Sequence, residues 1–228
     1  MLISTDILLG PDPPPSAYFE GYRVLRANLL AMHAREPFNS ILVTSALPRE
    51  GKTTTAINLG TVLGLAGRRV RLIDADAGQH SFARQLGIAD HVGLTDLCRG
   101  EAQVEDALTP TQIDGVHLLS AGHSWRELSE LAISAAMAQA VQQVAKDADF
   151  TILDSRPILG FGATLSLATV VDTVVLVARA RGDAGPVQRA LATLEDVGAR
   201  VSGVVVNDIL SHDSAATDAY YDYHYDRE

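Results

Sequence analysis

The 228-residue sequence has one cysteine, no long apolar run and no excess of positive charge, and each of these absences narrows what the chain can be. The single cysteine, Cys98, rules out an intrachain disulfide and suits a reducing cytoplasm; the side chain itself reads as a small buried core residue. The longest apolar stretch, about Val170 to Val177, is too short to cross a bilayer and carries Asp172, so it reads as a strand. The first residues contain no basic segment followed by an apolar one, and no signal peptide is expected. Seven histidines are scattered without ligand spacing, which argues against a structural metal site. A formal net charge of −10 argues against a general nucleic-acid surface.

What is present is a soluble globular composition, 47% apolar, in a chain long enough to bury one core. It is organised around residues 41–54. Ile41, Leu42 and Val43 read as a buried parallel strand, Ser45 to Gly51 as a turn, and Lys52 as the start of a helix with Ala56, Leu59 and Leu63 at helical spacing and Gly67 as its stop. Strand, loop, Gly-Lys-Thr and helix describe a phosphate-binding loop. The nucleotide-binding set is then Pro48, Arg49, Glu50, Gly51, Lys52, Thr53 and Thr54, with Lys52 reaching the β- and γ-phosphates and the Thr53 hydroxyl on Mg²⁺. Ala46 stands where the full pattern has its first glycine.

Residues 1–15 end in Pro11-Asp-Pro-Pro-Pro15 and read as a stiff arm without core contribution. A helix from an N-cap at Ser16 to about Arg35 carries the apolar stripe Tyr22, Leu25, Leu29, Met32. Its Glu20, Arg23 and Arg26 share a broad face, which is either an ordinary exposed ion-pair surface or a contact for another subunit. Val70, Leu72 and Ile73 form a second strand that delivers Asp74 and Asp76 to the carboxyl edge of the sheet, where ligands bind in open α/β folds. One aspartate there is often a helix cap; two beside a phosphate loop fit Mg²⁺ coordination. Residues 80–115 read as short helices and loops, Val116 to Leu119 as a strand, and Leu128 to Lys146 as one helix preceded by a packing Trp125. Phe150 to Asp154 is an apolar strand ending in a carboxylate, the Walker B arrangement. Thr173 to Ala178 and Val201 to Val206 are further strands around a helix from Pro186 to Val197. Asn207 closes the last strand, as its cap or as a hydrogen-bonding partner of an adenine edge. The alternation predicts an α/β fold, a doubly wound, mostly parallel sheet with helices on both faces, over residues 16–210. Residues 211–228 lose periodicity and hold Tyr220, Tyr221, Tyr223 and Tyr225 among acidic residues, a mobile tail whose tyrosines read as phosphate acceptors beside a nucleotide site.

At these residues the chain resembles the bacterial tyrosine kinases of capsule and exopolysaccharide synthesis, the stand-alone cytoplasmic type. The resemblance rests on Glu20, Arg23 and Arg26, the phosphate loop with its missing first glycine, Leu72-Ile-Asp-Ala-Asp76, Ile152-Leu-Asp154, Ser129-Glu-Leu131, Asn207 and the tyrosine tail. It implies phosphoryl transfer from Mg·ATP to tyrosine. Lys52, Asp74, Asp76 and Asp154 would be catalytic; Thr53 and the three aspartates would position Mg²⁺ and acceptor, and Asn207 would contact adenine. It also implies assembly into a ring through Glu20, Arg23 and Arg26, autophosphorylation of Tyr220, Tyr221, Tyr223 and Tyr225, protein substrates of polysaccharide synthesis, and a membrane-bound modulator that recruits the kinase to the inner face of the membrane. The chain departs from the family at Ala77 to His80, at Ser155-Arg156 where the family has Thr-Pro, and at Ala163 and Ala184. Two other readings share the loop. A partitioning or cell-division ATPase needs a lysine five residues before Lys52, where this chain has Leu47. An ATP-binding regulatory module of a polysaccharide export machine would transfer phosphate to nothing.

Overall fold

The computed structural model describes residues 8–76, 82–88, 92–122 and 127–209. The N-terminal helix α1 (Ala17–Arg35) is followed by β1 (Ser40–Ser45), α2 (Lys52–Gly64) and β2 (Val70–Asp74). Then come α3 (Phe82–Leu86), α4 (Leu94–Cys98), α5 (Val104–Ala107), β3 (Leu108–Pro110), β4 (Val116–Leu119), α6 (Leu128–Leu131) and α7 (Ala135–Ala145). The chain continues through β5 (Phe150–Asp154), α8 (Gly162–Val170), β6 (Thr173–Arg179), α9 (Ala184–Asp196) and β7 (Val201–Asn207). The strands form one sheet in the order β3-β4-β2-β5-β1-β6-β7, parallel except for the edge strand β3.

Strand residues alternate between two cores, as the period of a pleated strand requires. Ile41, Val43, Leu72, Ile152 and Val175 face the layer of α1 and α2, while Leu42, Ile73, Leu153, Val174 and Leu176 face the layer of α7, α8 and α9. The topology places the site. Leaving β1, the chain passes over to β2 and builds β4 and β3 outward. It then returns to lay β5 between β1 and β2 before crossing to β6 and β7. Asp154 therefore stands in register with Asp74 on one side and Val43 on the other.

Several expectations need correction. The helix expected over Leu128 to Lys146 is two helices. The Ser134 hydroxyl donates to Leu131 O (2.6 Å), closing α6, and accepts from Met137 N (3.4 Å), capping α7. Residues 80–115 contain the short antiparallel strand β3 besides helices. The apolar string through Val177 is helix α8 up to Val170 and strand β6 from Thr173. Asp172 divides it, its carboxylate accepting from Asn39 N, Ser40 N and the Ser40 hydroxyl at 2.7, 2.7 and 2.9 Å. Burial works against that charge, but the Ser40 and Asn39 hydrogen bonds prevail and hold the carboxyl below the usual aspartate range. Trp125, Ala77 to His80 and the tyrosine tail lie outside the described residues.

The arm does contribute to the core. Leu9 is buried, and its backbone N–H donates to the Asn58 side-chain carbonyl (2.8 Å). Asn58 lies fully buried in α2 and donates in turn to the Tyr18 hydroxyl of α1 (2.9 Å). One amide thus ties the arm and α1 to the helix that follows the phosphate loop, a satisfied buried network. Replacing Asn58 by Ala leaves the buried Leu9 N–H without its acceptor and takes a donor from the Tyr18 hydroxyl, and should cost about 2 kcal/mol in urea unfolding. Removing residues 1–15 should cost a comparable amount, with little further loss when the two changes are combined. An unchanged midpoint on removing the arm would show that it contributes nothing.

Candidate functional site: a phosphate loop between two acidic strand ends

The loop from Ser45 to Gly51 is held by its own side chains. The Ser45 hydroxyl donates to Leu47 O (2.7 Å), and the buried Glu50 carboxylate accepts from Leu47 N (2.7 Å). Arg49 and Gly51 adopt left-handed backbone, at φ 64° and 93°. Ala46 does not, so the glycine missing from the general pattern is not needed for the turn. At Gly51 glycine is required twice over, because a Cβ there would stand 2.0 Å from Asn207 Nδ2. That amide donates to Glu50 O (3.2 Å), so Asn207 braces the phosphate loop rather than capping its own strand. Beyond Gly51 the helix α2 begins at Lys52, and its first turn, led by the buried Lys52, faces the end of β5.

Asp154 meets this turn directly. Its Oδ2 accepts from the Thr53 hydroxyl at 2.6 Å, while its buried Oδ1 has no hydrogen-bond partner among the described residues. Burial pushes the carboxyl up to about 7, with the Lys52 charge and the Thr53 hydrogen bond opposing and the Asp76 charge adding to the shift. Asp74 is also fully buried. Burial first, and the neighbouring Asp154 second, raise its carboxyl well above the aspartate range, against hydrogen bonds from Phe82 N (2.9 Å) and Asp76 N (3.2 Å). Asp76 is nearer the surface and pairs with Arg156, whose Nε lies 3.5 Å from Asp76 Oδ1.

Among the described residues no three His, Cys, Asp or Glu side chains form a ready-made metal cage. Mg²⁺ does not need one beside a nucleotide, since it takes one or two carboxylates with phosphate oxygens and water. The Thr53 hydroxyl and the unpartnered Asp154 Oδ1 fit that role.

The residues singled out in the sequence are partly brought together. Lys52, Thr53, Asp74, Asp76 and Asp154 line one carboxyl edge of β1, β2 and β5, and Asn207 reaches the loop from β7. Glu20 and Arg23 form an exposed ion pair (2.8 Å), but Arg26 turns inward and donates to Val62 O of α2 (2.9 Å). Cys98 is half-buried against the core, and burial raises its thiol to about 11, which suits a packing residue. Two residues were missed as parts of this assembly. Asn58 carried no signal beyond a polar residue on an apolar helix, and Arg156 showed as a departure two residues after Asp154.

A carboxyl raised to about 7 has a definite consequence for stability. Between the unfolded aspartate range and pH 7 the native state holds a proton that the unfolded chain has lost, so Asp154 lowers the stability of the nucleotide-free chain as pH rises through that window. Asp154→Asn should raise the melting temperature by a few degrees at pH 8, with a smaller gain at pH 5, and abolish the Mg²⁺ dependence of nucleotide binding. A lower melting temperature for Asp154→Asn at pH 8 would contradict the strain assigned to this carboxylate.

Comparison with known proteins agrees with this geometry. Residues 49–200 match the family described as AAA domain. The chain is 30% identical over 198 residues to the tyrosine-protein kinase YwqD of Bacillus subtilis, covering 85% of this chain and 82% of that protein. It is 26% identical over 197 residues to the putative tyrosine-protein kinase CapB of Staphylococcus aureus, covering 86% of each. The kinase domain of the Escherichia coli tyrosine kinase ETK superposes with a TM-score of 0.82 at 24% identity, covering 90% of this chain and 81% of that one, which shows a shared fold. The chain belongs to the bacterial tyrosine-kinase family of P-loop NTPases.

Proposed function

We propose that the chain is an ATP-dependent protein-tyrosine kinase that phosphorylates its own C-terminal cluster, Tyr220, Tyr221, Tyr223 and Tyr225, and regulates capsular or exopolysaccharide synthesis or export. The observation that carries this reading is the Thr53–Asp154 hydrogen bond at the mouth of the phosphate loop, with an unpartnered carboxylate oxygen beside it, in a chain related to proteins named as tyrosine kinases.

In this reading Lys52 and the amides at the start of α2 face the β- and γ-phosphates and stabilise the charge that builds there during transfer. Thr53 and Asp154, with Asp76 beyond them on the rim, would hold Mg²⁺, which when bound supplies positive charge against the phosphates. Asp74 and Asp76 complete the acidic rim past which the acceptor approaches. The tyrosine oxygen bonds to the γ-phosphorus as the bond to the bridging oxygen of ADP breaks, and the hydroxyl proton leaves to a base at this rim. Asn207 contacts the adenine edge in this reading; its amide also braces Glu50 of the loop. The acceptor tail belongs to a neighbouring copy in a ring built on the α1 face of Glu20 and Arg23. A membrane-bound modulator brings the kinase to the inner face of the membrane; among the described residues no helix is long and apolar enough to cross it.

Lys52→Met and Asp154→Asn should each lower autophosphorylation at least about 100-fold, the size of effect seen when a charge-stabilising group is removed from a transfer site. Replacing Tyr220, Tyr221, Tyr223 and Tyr225 together by Phe should abolish the phosphotyrosine signal by mass spectrometry while leaving ADP affinity unchanged. Full labelling of the Phe variant would overturn the assignment of the acceptors, and full labelling of Lys52→Met would overturn the site.

A further inference from the structure

The phosphate-loop fold does not require an arginine at position 156 of the acidic rim. Its backbone is fixed from two sides, because the Thr44 hydroxyl at the end of β1 (2.8 Å) and the Thr164 hydroxyl of α8 (3.1 Å) both donate to Arg156 O. Its guanidinium lies over the Phe161 ring, 4.9 Å from the centroid, and its Nε reaches Asp76. Stacking and a clamped backbone pre-order a side chain that otherwise loses much rotamer freedom. The pair is only 29% and 19% exposed, so water screens it less than an ordinary surface ion pair. The Asp76 charge is in turn felt by both Asp74 and Asp154.

This rim gathers three carboxylates and holds one fixed cation against the most exposed of them. A divalent ion entering beside Asp154 would meet Asp76 already neutralised and a positive charge a few ångströms beyond it. We propose that Arg156 is a resident cation that competes with Mg²⁺ for Asp76 and so sets how much Mg²⁺ the nucleotide site requires. Arg156 is a positioning residue in this role: it acts through Asp76 and on the metal, not on the transferred phosphoryl group. The inference rests on the proposed nucleotide site but not on where the phosphate goes.

The test is the affinity for fluorescent ADP measured across a Mg²⁺ series, with melting temperature as the check on folding. Arg156→Gln should lower the Mg²⁺ concentration at half-effect about two- to fivefold, the effect of losing one partly screened charge. Arg156→Lys, which keeps the charge but not the stacked fork, should stay closer to wild type. Asp76→Asn should raise the Mg²⁺ requirement, and adding Arg156→Gln to it should change little, because the two act as one unit. An unchanged or higher Mg²⁺ requirement in Arg156→Gln overturns the proposal, as does the same decrease in the Asp76→Asn background. Failure of wild type to bind ADP overturns both the proposal and the site beneath it. Phosphotyrosine lacking in wild type, with these Mg²⁺ shifts intact, overturns the kinase reading and leaves the competition standing.

Discussion

The structure turns on a carboxylate buried where solvation is poorest. Asp154 sits between the phosphate loop and β2 because β5 lies between β1 and β2 in the sheet. Full burial raises its proton affinity, and the Thr53 hydroxyl and the Lys52 charge offset part of that cost. A second buried aspartate in register beside it raises the strain further. Two such groups do not favour the nucleotide-free fold. A cation bound with the proposed nucleotide would stabilise them, which is how such a site would differ from a structural ion pair.

Everything around Asp154 keeps the loop that faces it in one shape. Glu50 and Ser45 fix the loop from within, and Asn207 fixes it from the far edge of the sheet. Asn58 ties α2 back to α1 and the N-terminal arm, and Arg26 adds a second tie at Val62. The helix that starts at Lys52 is therefore linked to the surface carrying Glu20 and Arg23 through side-chain hydrogen bonds rather than through apolar packing alone. Under the proposed assembly of copies, a change at that surface would have a short physical route to the phosphate loop.

Much of this was legible in the sequence, and the residues show why. Short β-branched runs ending in Asp74 and Asp154, with Gly51-Lys52-Thr53 between strand and helix, specify both the parallel sheet and the edge on which the site lies. Local patterns carry that information because strand period and helix caps act over a few residues. What escaped depends on side-chain hydrogen bonds and ion pairs that no residue pattern marks, some of them local and others between residues far apart in sequence. The break at Ser134 looks like any polar residue within a helical run until its hydroxyl is seen on both Leu131 and Met137. Asp172 splits an apolar string only because it bonds Asn39 and Ser40, more than a hundred positions away. Arg156 and Asn207 owe these contacts to partners in loops far away in sequence, Asp76 and Glu50, so no spacing rule could have disclosed them.

A kinase and a nucleotide-switched ATPase differ in whether the γ-phosphate of ATP reaches a hydroxyl or water, and the proposed function requires the hydroxyl. The most direct measurement follows the label from γ-labelled ATP in the purified full chain with Mg²⁺ and separates protein-bound phosphate from free inorganic phosphate. Alkali-stable, protein-bound label should accumulate ahead of inorganic phosphate. Label released wholly as inorganic phosphate would instead make the chain a nucleotide-switched ATPase and overturn the kinase reading.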